Sequence, residues 1–124
     1  MKSSVVILTK NDNYGNNLSH RAKMCVNSLV ENFDEVVIVD WKTRNRQTLL
    51  STFLSEIPHV GKIKSIEVSD ELLKEKYPHL HQYNILESVG RNVGIRRSSG
   101  DWIASTNVDI ITTPLDFEQL NINE

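Results

Sequence analysis

Apolar residues in this chain gather in short unbroken runs, separated by longer segments in which they recur every three or four positions. Residues 4–9, SVVILT, and 36–40, VVIVD, are runs without alternation, as expected of parallel strands buried on both faces. Residues 63–68, IKSIEV, alternate in part, which places a third strand nearer a sheet edge. Between the first two runs, Leu18, Ala22, Cys25, Val26, Leu29 and Phe33 share one face of a helix predicted over Leu18 to Phe33. Leu49, Leu50, Phe53, Leu54 and Ile57 predict a second helix over Gln47 to Glu56, stopped by Pro58. Ser69 is suited to cap a short helix from Asp70 to Lys76, which Tyr77-Pro78 ends. PHLHQYN reads as a loop or helix entry, and a third main helix is predicted over Ile85 to Ser98. Gly100 stands where a left-handed helix cap belongs, and residues 102–106 form the fourth strand. The polar clusters Lys10 to Asn17 and WKTRNR are loops by composition. LDFEQLNINE carries no clear structural signal.

The predicted order is β-α-β-α-β-α-α-β. Alternating strands and helices imply an α/β fold, a three-layer α/β/α stack on a mostly parallel sheet. Right-handed crossovers limit the strand orders. If strands 1, 2 and 3 step outward one way and strand 4 returns beside strand 1, the order is 3-2-1-4, a Rossmann-like half. The switch point then lies between strands 1 and 4, where open α/β sheets bind ligands. Thr9-Lys10-Asn11, Asp40 and Asn107-Val108-Asp109 fall at the carboxyl ends of strands 1, 2 and 4.

Composition narrows the class. The 124 residues are 39% hydrophobic and 24% charged, which suits one domain, residues 1–124, with a single core. A net charge of −2 and a pI near 6.1 give no basic footprint for nucleic acid. The early apolar run Val5 to Leu8 is too short for a signal-peptide core or a membrane span. Cys25 is the single cysteine, so no intrachain disulfide forms and a reducing, cytoplasmic location is expected. Its place in an apolar helical pattern suggests inert packing.

The candidate chemistry is unevenly distributed. No GxxxxGK(S/T) occurs, and NDNYGNN after strand 1 is not GxGxxG. Any nucleotide must therefore be held by strand-end side chains and a metal. Asp109 and Asn107 offer hard oxygen ligands suited to Mg²⁺ or Mn²⁺ beside substrate phosphates; alternatively they cap a turn before Thr112-Thr113-Pro114. His79-x-His81 is a weak zinc pattern. Arg96 and Arg97 complement the negative end of their helix, whereas Arg91 lies further back, with Glu87 at i−4 to orient it. Lys42, Arg44 and Arg46 form a basic loop beside Asp40. Trp41 either stacks on a base or sugar in the crevice or packs on the sheet.

VVILTKND, VVIVDWKT and GRNVGIRRSSGDWIASTNVDI, in this order and spacing, resemble the nucleotide-binding half of a family 2, GT-A-fold glycosyltransferase. Thr9-Lys10-Asn11 matches the family's Thr-x-Asn segment, and Asp40 its second strand end. Arg91, Asn92, Gly94, Ser98, Gly100 and Asp101 match its helix–strand signature, and Asn107-Val108-Asp109 its DxD-like motif. The resemblance implies that the Thr9-Lys10-Asn11 segment and Asp40 line the nucleotide-sugar site, with Thr9, Asn11 and Asp40 on the base and ribose. Arg91 is implied near the nucleotide or diphosphate, with Asp109 and the weaker Asn107 holding Mn²⁺ or Mg²⁺. Such enzymes continue well beyond this motif, with the acceptor site and the catalytic base. The expectation is a chain that binds a nucleotide-diphosphate sugar and, alone, transfers it little or not at all, its acceptor unassigned. The alternatives are a non-catalytic nucleotide or nucleotide-sugar binding module or a truncated inactive fragment, and a structural domain that kept the fold. An uncovered sheet edge makes a homo-oligomer a further expectation.

Overall fold

Every residue of β1 (Ser3–Thr9) is buried, and the sheet is built outward from it. In the computed structural model, which describes residues 1–114, 116 and 119, β1 pairs in parallel with β2 (Glu35–Thr43) and with β4 (Trp102–Thr106). β2 pairs in parallel with β3 (Ile63–Ser69), giving the order β3-β2-β1-β4. Thr9 stands opposite Asp40 in this register. β3 and β4 are the edges of the described sheet, and Ile103 of β4 is exposed.

Side-chain alternation divides the sheet into two apolar faces. Val5, Ile7, Val36 and Ile38 meet α1 (Leu18–Asn32) through Ala22, Cys25, Val26 and Leu29. Leu8, Val39 and Trp41 meet α2 (Asp70–Lys76) and α4 (Glu87–Arg97) through Leu73, Val89 and Val93. A one-turn helix, α3 (Pro78–His81), joins α2 to the approach of α4. The predicted α/β/α stack is therefore present, with α1 on one side of the sheet and α4 on the other. Ser69 caps α2 as expected, its hydroxyl accepting from the Leu72 amide at 3.1 Å. Among the described residues no helix is long and apolar enough to cross a membrane.

Three expectations are corrected. The helix expected over Gln47–Glu56 is instead two short 3₁₀ turns, Leu50–Thr52 and Leu54–Glu56. Ser51 and Thr52 hydroxyls bind the carbonyls of Thr48 and Leu49 at 2.6 Å, and Phe53 (φ −139°) breaks the run. Such side-chain bonds compete with helical ones. Leu49, Leu50, Phe53 and Ile57 still enter the α1-side core. The loop expected from Trp41 begins late, because β2 continues to Thr43 across an irregularity at Lys42 (φ +56°). Trp41 is consequently 1% exposed and packs in the α4-side core rather than facing a ligand. Gly100 is not left-handed; α4 ends on Ser98 in an extended conformation. A Cβ on Gly100 would lie 2.5 Å from Ser4 Oγ and 2.7 Å from Ser4 N, so glycine is needed there for close approach to β1. Of LDFEQLNINE, only Asp116 and Gln119 lie within the described residues.

Candidate functional site

The carboxyl ends of β1, β2 and β4 do converge, and two adjoining clefts open there. The first, about 500 Å³, is lined by Thr9, Lys10, Arg91, Asn107 and Asp109, together with Asp12, Tyr14, Arg21, Asn84 and Glu87. The second, about 450 Å³, is lined by Lys10, Asn11 and Asp40, with Lys42, Thr43, Arg44 and Gln47. Lys10 borders both. Its ammonium bonds the Asn84 carbonyl at 2.9 Å and the Asn84 side-chain oxygen at 2.5 Å, forming a strap across the crevice. Burial, with Lys42 nearby, lowers the Lys10 pKa from its ordinary value.

Asp40 organises the second cleft from beneath. It is 1% exposed, and its carboxylate accepts from Thr43 Oγ1 at 2.7 Å, the Leu49 amide at 2.9 Å and Thr9 Oγ1 at 3.0 Å. Burial raises its pKa, and these three hydrogen bonds oppose that rise. Asp40 thus ties together the ends of β1 and β2 and the start of the first 3₁₀ turn. Asn11, above it, donates to the Gln47 carbonyl at 3.0 Å.

The β4 end is held from both helical layers. Arg91 reaches from α4 to Ser105 Oγ and the Thr106 carbonyl at 2.8 Å each, and to Asn107 Oδ1 at 2.6 Å. Glu87 sits 3.6 Å from the same guanidinium, one helical turn away. From α1, Arg21 pairs with Asp109 at 3.0 Å. Cys25 Sγ lies 3.5 Å from the Asn107 carbonyl, Ser28 Oγ accepts from the Thr112 amide at 3.1 Å, and Asn32 donates to the Thr112 carbonyl at 3.2 Å. Arg21, Cys25, Ser28 and Asn32 stand at helical spacing along one stripe of α1. This stripe clamps the segment that follows β4.

The first cleft therefore carries Lys10, Arg21 and Arg91 against Asp12, Glu87 and Asp109. No family model and no curated protein matches the sequence. Among the described residues, no three His, Cys, Asp or Glu side chains gather to hold an ion. Asp109 and Asn107 supply one carboxylate and one amide oxygen at the cleft wall. That pair fits Mg²⁺ or Mn²⁺ only when phosphate oxygens and water complete the shell. His81 of the suspected histidine pair instead bonds Asp70 at 2.9 Å. Arg97 turns back onto Val93 O of its own helix, away from the crevice.

Arg21, Asp12 and Asn84 escaped the sequence reading. Arg21 was hidden because α1 was read for its apolar face alone. The spacing of Arg21, Cys25, Ser28 and Asn32 is a detectable signal, but its meaning depends on β4 returning beside β1.

Proposed function

We propose that the chain binds a nucleoside-diphosphate sugar at the carboxyl ends of β1, β2 and β4, as the donor-binding part of a family 2-like, GT-A-type glycosyltransferase. The observation that carries this reading is the seating of Arg91. A residue of the signature helix grips the last residues of β4 and the first member of the Asn107-Val108-Asp109 motif. Two motifs within the third segment of the resemblance, 16 residues apart, thus form one wall of a cleft that Thr9 and Lys10 complete.

In this reading the second cleft receives the base and ribose beside Asn11, with Asp40 keeping Thr9 and the Leu49 amide in position. The first cleft receives the diphosphate, with Lys10 and Arg91 as its cationic contacts. Asp109 and Asn107 hold Mg²⁺ or Mn²⁺ there. That ion supplies charge stabilisation to the departing nucleoside diphosphate. Transfer joins an acceptor hydroxyl to the sugar's C1 as the C1–O bond to the β-phosphate breaks. The leaving diphosphate keeps the electron pair, and the hydroxyl proton passes to a base.

A second reading, a nucleotide-sugar-binding module without transfer, is favoured by one observation: Asp40, Asn107 and Asp109 all have their charge or polarity met by the chain's own groups. Thermal shifts with UDP-, GDP- and dTDP-sugars, with and without Mn²⁺, test the shared premise. A metal-dependent stabilisation is expected for wild type and not for Asp109→Ala. No stabilisation by any of them refutes both readings. Hydrolysis or transfer of the stabilising donor then separates enzyme from module.

A further inference from the structure

We propose that Arg21 is the built-in counter-ion of Asp109 and makes divalent-cation binding depend on the diphosphate. The inference rests on the donor-site reading above. Arg21 Nη1 lies 3.0 Å from Asp109 Oδ2, and both side chains are partly exposed, at 31% and 45%. A divalent cation arriving alone must compete with this guanidinium for the one carboxylate of the motif. Asn107 adds little to that contest, because its Oδ1 is already engaged by Arg91.

The loop after β1 is wound around the same guanidinium. Arg21 Nε donates to Asn16 O at 3.1 Å and Nη2 donates to Tyr14 O. Gly15 adopts φ +73°, and a Cβ there would lie 2.9 Å from Arg21 Nη2. Asn13, Asn16 and Asn17 are also left-handed, a conformation that asparagine tolerates better than most residues. Three of the guanidinium's nitrogens are thus engaged, two by the loop and one by Asp109. Releasing Asp109 leaves Arg21 anchored at the cleft wall, with Nη1 free to take another anion. A diphosphate in that cleft offers oxygens to Arg21 and to the cation together. It relieves the competition at Asp109 and completes the cation's shell. Each ligand therefore strengthens the other, by the same factor in both directions.

The test is Mn²⁺ binding measured by the EPR signal of free Mn²⁺, alone and with saturating UDP, GDP or dTDP. Wild type is expected to bind Mn²⁺ weakly alone and more tightly with the nucleoside diphosphate that fits. Arg21→Gln is expected to tighten Mn²⁺ alone by about two- to fivefold, the scale of a partly exposed ion pair, and to shrink the coupling by at least that factor. Arg21→Lys keeps the charge but loses the fork to Tyr14 and Asn16, so it should tighten Mn²⁺ in the same direction and by less. Thermal unfolding verifies that each variant is folded; if Arg21→Gln is not, Arg21→Lys decides alone. Unchanged or weaker Mn²⁺ binding in the folded variant overturns the proposal. Asp109→Asn separates the two levels. If it leaves Mn²⁺-dependent nucleotide binding intact, the donor-site reading fails. If it abolishes that binding while the Arg21 variants behave as wild type, the role of Arg21 alone fails.

Discussion

Gly94 gives the sharpest test of how α4 sits on the sheet. A Cβ at this position would fall on Val6 Cγ1 and lie 3.0 Å from Val39 Cγ2. Both valines are fully buried on central strands, and a β-branched side chain has little χ1 freedom to retreat. Gly94→Ala gains about 1 kcal/mol of helix propensity. Overpacking costs about 1–3 kcal/mol, and the stiffness of the two valines places this site in the upper part of that range. The expected net effect is a loss of about 1–2 kcal/mol. Gly90 is the internal comparison. Its added Cβ would meet Leu8 Cδ1 at 2.5 Å and Cδ2 at 2.8 Å, the mobile ends of a longer side chain. Gly90→Ala should therefore be about neutral, the rotation of Leu8 offsetting the helical gain. Urea unfolding followed by circular dichroism should show a lower midpoint for Gly94→Ala with an unchanged m-value. A Gly94→Ala variant as stable as wild type, or less destabilised than Gly90→Ala, would refute this account of the helix–sheet contact. Since Arg91 lies one turn before Gly94, lifting α4 should also loosen its grip on Asn107.

Glu35 makes a prediction about acid. Burial pushes its pKa upward, but bonds from the Ser99 amide and hydroxyl and from Ser4 Oγ, with Lys2 nearby, outweigh it and hold the carboxyl below its ordinary value. The unfolded chain then binds the proton more readily, so this stabilisation is present above the unfolded pKa and lost as pH falls through the lower folded one. Urea midpoints from about pH 6 to pH 3 should fall less steeply for Glu35→Gln than for wild type; parallel slopes would contradict this. Cys25, fully buried, has its thiol pushed up to about 11, chiefly by burial. Iodoacetamide at pH 8 should label the native thiol about 10²-fold more slowly than the urea-unfolded one, as thiolate fraction dictates. Equal rates would show that the α1 face opens readily.

What could be read from the sequence was what depends on periodicity. The unbroken runs at 4–9 and 36–40 are central strands because both helical layers need apolar partners. The weaker pattern at 63–68 does fall on an edge strand. The order 3-2-1-4, one of those that right-handed crossovers allow, is the observed one and brings Thr9, Asp40, Asn107 and Asp109 to one end of the sheet. The failures lie where a few hydrogen bonds outvote a pattern. Residues 47–56 have helical spacing, yet hydroxyls at 51 and 52 and the Asp40 bond to the Leu49 amide settle them as turns. Trp41 follows a strand-ending aspartate but continues the strand through an irregularity. The partners of Asp109 and Asn107 were divided in legibility. Arg91 belongs to the recognised signature, whereas Arg21 is 88 residues from Asp109 and is joined to it only by the fold.

Asn107 and Asp109 are two positions apart, yet their side chains are moored to opposite sides of the sheet. Asn107 is fastened to α4 through Arg91, and Asp109 to α1 through Arg21. The turn between them is thus a gauge of how the two helical layers register across the strands. A void opened among Val26, Leu29 and Phe53 would be felt first at Asp109, and one among Val39, Leu73 and Val93 first at Asn107. Two cores on opposite faces of the sheet each hold one end of the same short motif, so the spacing of its two oxygens records the packing of the whole stack.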